Sequence, residues 1–276
     1  MPTWLITGCS TGFGRALARA VLARGWNAAV SARDPATVVD IIAGHEATAL
    51  PLRLDVTDPA QVAAAVRDAE KRFGAIDVLV NNAGYGYRAA VEEADDADIR
   101  RLFETNFFGL VGLTKSVLPG MRARGRGHIV NVSSVAGRMA QPGSGYYSAS
   151  KFAVGGLSDA LRKELEPLGI RVTVVEPGGF RTDFAGRSLR QSSRPIDAYA
   201  KTAGLRRKEN STTDGRQPGD PVRAAEAIIK AVQADKPPFR LVLGRSAVQR
   251  IRAELDAQRR ELDSWEETAN AADYPA

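Results

Sequence analysis

Short apolar runs rich in β-branched residues alternate along this chain with longer stretches whose apolar positions recur at intervals of three and four. The runs are TWLIT, WNAAVSA, TALPLRLDV, IDVLVN, HIVNVSS, IRVTVVEP and FRLVLG. Most of their positions are apolar, where a half-exposed strand would alternate with polar ones, so they read as strands buried on both faces. Between them lie GRALARAVLARG, AQVAAAVRDAEKRFG and the long DADIRRLFETNFFGLVGLTKSVLPGMRARG, whose spacing predicts amphipathic helices. Three helical stretches start at Asp-Pro pairs, Asp34-Pro35, Asp58-Pro59 and Asp220-Pro221. There the carboxylate can cap free N–H groups while proline suits the first turn. Seven strands separated by helices require right-handed crossovers, which predicts an α/β architecture: a doubly wound, seven-stranded parallel sheet flanked by helices on both faces. Ligands of such sheets bind beyond the carboxyl ends of the strands.

Composition narrows this picture. A chain of 276 residues that is 44% hydrophobic and 25% charged can bury a sizeable core. No linker, repeat or low-complexity tract divides it, so one domain over 1–276 is expected. The only cysteine, Cys9, forms no intrachain disulfide and no thiolate cluster for zinc, which points to a reducing compartment and no metal site. The opening MPTWLITG enters a strand directly, without a signal peptide or a membrane span, so a cytoplasmic protein that does not bind membranes is expected. The net charge of +6 is concentrated between Phe184 and Gln217, where eight basic residues face three acidic ones, Asp197, Glu209 and Asp214. With little apolar periodicity, that segment reads as a solvated basic loop, an insertion at about 184–218 beside the substrate rather than a nucleic-acid-binding stripe.

The first strand runs into TGCSTGFG, with glycines at Gly8, Gly12 and Gly14. Glycines let a backbone turn sharply and approach a pyrophosphate at a helix N-terminus, but the same residues also build plain tight turns. Gly8 to Gly12 also satisfies G-x-S-x-G, and Ser148 to Lys151 satisfies Ser-x-x-Lys. A hydrolase elbow follows a later strand, however, and only His45 and His128 are available as its base.

Further motifs decide between these readings. NNAG stands at Asn81 to Gly84, Asn106 lies in TNFFG, Ser133-Ser134 follow the fifth run, Tyr147 and Lys151 form Y-x-x-x-K, and PGGFRT spans Pro177 to Thr182. Together with TGCSTGFG, and in this order, they resemble the short-chain dehydrogenase/reductase family over essentially the whole chain. The most similar branch is that of 17β-hydroxysteroid dehydrogenase-like and retinol dehydrogenase-like enzymes. The resemblance implies a Rossmann fold, an oxidoreductase, and an asparagine, a serine, a tyrosine and a lysine as catalytic residues. A phenol, with an ordinary pKa of about 10, donates a proton readily to a developing alkoxide, and a cation one helical turn away favours its ionised form. Tyr147 has Lys151 at that spacing, whereas Tyr146 has Ser150, so Tyr147 is the expected general acid/base. The resemblance implies a substrate-binding serine thirteen residues before the tyrosine, which is Ser134, while Ser133 points to the opposite face of the strand; Asn106 matches the residue that helps hold a water relay behind the lysine.

The resemblance also implies cofactor contacts from Gly8, Ser10, Thr11, Gly12, Phe13 and Gly14, from Asp55 and Val56 on the adenine, and from Asn82, Ala83 and Gly84 on the ribose side. Tyr147, Lys151, Pro177, Gly178 and Thr182 complete the nicotinamide end. At the tip of the second strand Ala32 leaves no acid for the ribose hydroxyls, and Arg33 offers a planar fork for a 2′-phosphate. Asp34 reads as a helix cap. NADP(H) is therefore the expected cofactor, with NAD(H) as the alternative. Tyr85, Tyr87, Phe180 and Phe184 suggest an apolar wall for a lipophilic secondary alcohol or ketone, or an aldehyde, while the basic segment suits an anionic substrate or attraction of the cofactor. The family implies a homodimer or homotetramer. The rival reading is a nonenzymatic NADP(H)-binding sensor or scaffold.

Overall fold

In the computed structural model, which describes residues 1–184, 186–213 and 215–274, each of the seven apolar runs contains a strand of one sheet. The strands are β1 (Thr3–Ile6), β2 (Asn27–Ala32), β3 (Ala49–Arg53), β4 (Val78–Asn81), β5 (Gly86–Arg88), β6 (Gly127–Val132), β7 (Ile170–Pro177), β8 (Leu189–Gln191) and β9 (Arg240–Leu243). The short β5 and β8 pair with each other apart from the sheet. The sheet order is β3-β2-β1-β4-β6-β7-β9 with every neighbouring pair parallel. The order reverses between β1 and β4, which opens a crevice beyond their carboxyl ends.

The helices are α1 (Gly12–Leu22), α2 (Val39–Ile42), α3 (Pro59–Phe73), α4 (Asp96–Phe103), α5 (Gly109–Arg124), α6 (Gly145–Leu165), α7 (Ala203–Thr213), α8 (Pro221–Gln233), α9 (Arg245–Ser264) and α10 (Glu266–Asn270). Alternation of side chains along each strand supplies two cores. Trp4, Ile6, Val78 and Val80 pack with residues of α1 and α8 on one face. Leu5, Leu79 and Ile129 pack with residues of α3, α5 and α6 on the other. Pro51 is tolerated because β3 is an edge strand. The Asp-Pro starts cap as expected: Asp58 accepts from Ala60 N at 2.9 Å and Asp220 from Val222 N at 2.8 Å. Asp34 accepts from Ala36 N at 3.0 Å, but the turn it caps is a 3₁₀ turn, Pro35–Val38, that precedes the short α2. No helix among the described residues is long and apolar enough to cross a membrane.

Two expectations change. The long helical stretch is not uniform, because residues Glu104–Phe108 form a π-helical turn between α4 and α5. The segment 184–218, expected as a solvated loop, contains β8 and the eleven-residue α7; its Ala185 and Asp214 lie outside the described residues. Polar anchors replace apolar periodicity there. Arg207 pairs with the buried Glu93, the Tyr199 hydroxyl donates to Glu92 at 2.8 Å, and Ala203 is buried against Gly143.

Candidate active site

The crevice at the strand-order reversal is a cavity of about 1060 Å³, lined by residues that follow β1, β2, β3, β4, β6 and β7. Gly8 and Gly12 have φ of +70° and +59°, the left-handed region that favours glycine. At the start of α1, Thr11 makes no side-chain cap bond and the first turn holds no acidic residue. The first-turn N–H groups therefore lack a side-chain acceptor, and Gly12 and Phe13 line the cavity. This arrangement fits a pyrophosphate, whose charge would face free donors and the positive end of the helix dipole. Gly14 does not line the cavity. A Cβ there would stand 2.5 Å from Gly8 O and 2.6 Å from Asn82 Nδ2, so this glycine permits close packing of α1 on the β4 loop.

That loop is fastened by a residue the sequence reading did not single out. The Thr7 hydroxyl accepts from the N–H groups of Asn82 and Ala83, both at 2.9 Å, and donates to Val80 O at 3.2 Å. Asn82 returns its Nδ2 to Thr7 O at 2.8 Å. Farther along the cavity, Ala32 is buried and Arg33 is exposed at the wall with no ion-pair partner among the described residues. Asp34 is occupied as a cap, and Asp55 accepts from Thr57 N at 3.0 Å and Thr57 Oγ1 at 2.7 Å.

At the other end α6 presents Tyr147 and Lys151, which are 6% and 5% exposed and both line the cavity. Burial raises the Tyr147 pKa; the hydroxyl of Ser134 and the positive charge of Arg88 act in the opposite direction. Lys151 lies one helical turn beyond Tyr147 on α6. Its ammonium donates to Val132 O at 2.8 Å, 6.0 Å from the centroid of the Tyr147 ring, and burial pushes its pKa down to about 8. The Arg88 guanidinium carbon lies at a similar distance, 5.9 Å from that centroid. Arg88, on β5, was absent from the sequence reading because nothing in its local pattern links it to α6. Tyr146 donates to Val91 O at 3.0 Å and does not line the cavity. Ser133 donates to Lys151 O at 3.1 Å, so both serines of the pair are at the site, with Ser134 nearer the phenol in function.

Asn106 is buried within the π-helical turn and does not line the cavity. Its amide clamps one backbone residue, accepting from Tyr85 N at 3.0 Å and donating to Tyr85 O at 2.9 Å, with a further contact from Nδ2 to Ser150 Oγ at 3.3 Å. A Cβ on Gly84 would lie 3.0 Å from Asn106 Oδ1 and 3.7 Å from Lys151 Nζ. π-Helical turns of this kind often mark functional sites. Apart from Gly14 and Asn106, every expected site residue lines the cavity: Gly8, Ser10, Thr11, Gly12, Phe13, Arg33, Asp55, Val56, Asn82, Ala83, Gly84, Ser134, Tyr147, Lys151, Pro177, Gly178 and Thr182.

Neither His45 nor His128, the two candidate bases for the G-x-S-x-G motif, lines the cavity. His128 is buried in β6 with Nε2 2.9 Å from Thr173 Oγ1, and burial, then Arg171, push its pKa down to about 4. The Cys9 thiol is buried and pushed up to about 12 by that burial.

Residues 2–193 match the family model described as short chain dehydrogenase. The chain belongs to the short-chain dehydrogenase/reductase family. Oxidoreductase BOA17 of Botryotinia fuckeliana is 38% identical over 271 residues, covering 98% of each chain. A short-chain dehydrogenase from Streptomyces avermitilis superposes with a TM-score of 0.93 at 40% identity, covering 99% of this chain and 100% of its own. A short chain dehydrogenase from Burkholderia cenocepacia, solved in complex with NADP, has a TM-score of 0.73 at 27% identity and covers 95% of this chain and 96% of its own. This short-chain dehydrogenase is thus an oxidoreductase by family, and one of its solved relatives holds NADP. The glycine loop, the open start of α1 and the Tyr147 end of the cavity fit such a cofactor along their length.

Proposed function

We propose that this single-domain short-chain dehydrogenase interconverts a secondary alcohol and a ketone, or an aldehyde, with NADP(H) as the preferred cofactor. The observation that carries the reading is a buried phenol, Tyr147, with Ser134 facing it and Lys151 behind it, at one end of the cavity that begins at α1. The nicotinamide cofactor supplies the hydride in reduction and accepts it in oxidation. In reduction the carbonyl oxygen is held by the Ser134 hydroxyl and takes the proton of Tyr147 as the alkoxide forms. The phenolate left behind is stabilised by Ser134 and Arg88. Lys151 holds the cofactor end of the cavity and fixes α6 to β6 through Val132 O. Asn106 acts as a positioning residue, setting the backbone of Tyr85 at the pocket wall.

Support for NADP(H) comes from the exposed Arg33, which has no ion-pair partner among the described residues, and the buried Ala32 at the tip of β2. The segment 184–218 forms the substrate wall through Phe184, whose ring lies 5.6 Å from that of Tyr147, and through α7. The protein works in the cytoplasm as a dimer or tetramer, for which the exposed Phe108 at the head of α5 and Phe152 on α6 supply apolar contact surface. The test is NADPH oxidation across a panel of ketones and aldehydes, with Tyr147→Phe as control. Turnover on a ketone that falls by at least roughly a hundredfold in the variant is expected from loss of a general acid. NADPH binding without turnover on any member would leave the sensor reading in its place, and full activity in Tyr147→Phe would remove the tyrosine from the mechanism.

A further inference from the structure

The substrate end of the cavity carries buried polar groups that hydride and proton transfer do not use. Arg88 is 6% exposed and lines the cavity, yet it makes no ion pair with a carboxylate among the described residues. One guanidinium nitrogen makes a long 3.4 Å bond to Tyr87 O, and its Nε–H has no acceptor among the described residues. Burial, then the charge of Arg206, push its pKa down to about 10 against the opposing charges of Tyr147 and Glu209, so it stays positive at neutral pH. Elsewhere this chain supplies partners for buried arginines: Arg207 pairs with Glu93, one residue along α7 from Arg206. Other arginines of the cavity are likewise engaged, Arg101 with Asp98, Arg187 with Asp183, and Arg190 over the ring of Tyr85 at 5.1 Å. A buried charge that no carboxylate touches directly is costly, and Glu209 favours it only at a distance, so its retention beside Tyr147 leaves room for a direct counter-charge from outside the chain.

Three further donors share the cavity with Arg88. Arg206 pairs with Glu209 through one nitrogen, but its buried Nε–H has no acceptor. The hydroxyls of Ser144 and Ser148 are buried and unbonded. The residues that carry them line the cavity. Ser144 bridges to Ala89, the residue after Arg88, Ser148 follows Tyr147 on α6, and α7 packs on β5. We propose that Arg88 and Arg206, with the hydroxyls of Ser144 and Ser148, form an oxyanion-binding subsite beside Tyr147, and that the substrate carries a carboxylate or phosphate close to its carbonyl. Guanidinium forks suit both anions, and the hydroxyls complete their coordination. Tyr85, Phe184 and Met139 leave an apolar wall for the rest of the molecule. The substrate assignment rests on Tyr147 being the proton donor; the anion subsite does not.

The experiment therefore has two arms. In the first, the enzyme with NADPH is assayed on matched pairs: acetoacetate against methyl acetoacetate, 4-oxopentanoate against its methyl ester, and dihydroxyacetone phosphate against dihydroxyacetone. At least one charged member should exceed its neutral partner in kcat/KM by roughly tenfold or more, the scale of one charge-assisted hydrogen bond. Arg88→Gln and Arg206→Gln should each collapse that ratio through KM, and Arg88→Lys should restore part of it. Arg223→Gln, which removes a charge on the distant α8, should leave the ratio unchanged. The pair that responds separates a carboxylate from a phosphate. In the second arm, the NADP-saturated protein is melted with sodium phosphate or sodium acetate against sodium chloride of equal ionic strength. A rise in melting temperature that Arg88→Gln abolishes is expected without any turnover. Ratios near one for all three pairs in an active enzyme, or a charge preference untouched by both glutamine variants, would overturn the inference. Anion stabilisation dependent on Arg88 with no ketone reduced would keep the subsite and defeat the reductase reading instead. If Arg88→Gln does not fold, Arg206→Gln carries both arms.

Discussion

The guanidinium of Arg207 on α7 is bonded to both carboxylate oxygens of Glu93, whose side chain has no exposure to solvent. Glu93 also accepts from Ala90 N at 2.7 Å and from Ile196 N at 2.9 Å, so one carboxylate ties together the turn after β5, the chain before α7, and α7 itself. The helix over the substrate end of the cavity is thus held by charge, in a segment with little apolar surface to hold it otherwise.

Glu93→Gln leaves Arg207 without its counter-ion, and breaking a buried pair in this way costs about 3–5 kcal/mol. The loss should appear as local opening of α7 rather than global unfolding, because the two cores beside the sheet do not involve Glu93. Limited trypsin digestion should cut within 184–218 far faster in the variant, with a nearly unchanged unfolding midpoint. Burial alone would raise the Glu93 pKa, but Arg207 and the two N–H groups outweigh it and hold the carboxyl at about 2. With the folded value below the ordinary one of 4.5, the pair stabilises α7 above that ordinary value and loses its contribution as pH falls from there toward 2. Protection of α7 from proteolysis, followed with an acid-active protease, should decline over that window in the wild type.

At Gly14 the expected outcome is a packing defect. A Cβ would meet Gly8 O and the Asn82 side chain at distances that real carbons do not adopt. Gly14→Ala should destabilise by about 1–3 kcal/mol through overpacking, read as a lower denaturant midpoint with unchanged slope. Because the shift moves Gly8 and Asn82 at the cavity wall, cofactor binding should weaken along with stability. Loss of binding with wild-type stability would instead make Gly14 a direct contact.

Much of this was legible in the sequence, for definable reasons. Runs such as TWLIT and IDVLVN are apolar at consecutive positions, and a strand buried on both faces is the conformation that uses such a run in a segment this short. Asp58-Pro59 and Asp220-Pro221 marked helix starts because capping depends only on neighbours in the chain. What escaped depends on partners distant in sequence. α7 is fixed by a glutamate 114 positions away, and Arg88 reaches the active-site phenol only because β5 packs on α6. The π-helical turn at Asn106 left no trace in the spacing, since one extra residue in a helix of mixed polarity resembles ordinary irregularity.

Arg33 decides the cofactor prediction. It has no carboxylate partner among the described residues and lines the cavity at the tip of β2, so a 2′-phosphate would be its first strong acceptor. Charge-assisted bonds of this kind contribute about 1.5–3 kcal/mol, which sets an expected loss of roughly ten- to a hundredfold in NADPH affinity for Arg33→Ala. NADH affinity should change little. Fluorescence titration of both cofactors on wild type and variant measures the difference, and equal or tighter NADH binding by the wild type would contradict the preference.

Lys151 links stability to pH. Burial holds its folded pKa at about 8, below the ordinary 10.5, so between those values the unfolded chain carries a proton that the folded one has lost. Stability of the cofactor-free protein should therefore rise with pH from about 8 toward 10.5, and the cost of the buried ammonium is fully present below 8. A displacement of this size corresponds to about 3 kcal/mol, and Val132 O, left without its donor when the lysine is removed, takes back about 1 of it. Lys151→Met should consequently be more stable than wild type at pH 7 by about 2 kcal/mol, with the gain shrinking as pH approaches 10.5, while ketone reduction falls sharply. Such a trade of stability against activity is the behaviour expected of a charge kept for the reaction rather than for the fold. Chemical denaturation of the cofactor-free protein at pH 7 and pH 10 measures it, and a methionine variant less stable than wild type at both values would place Lys151 in the architecture instead.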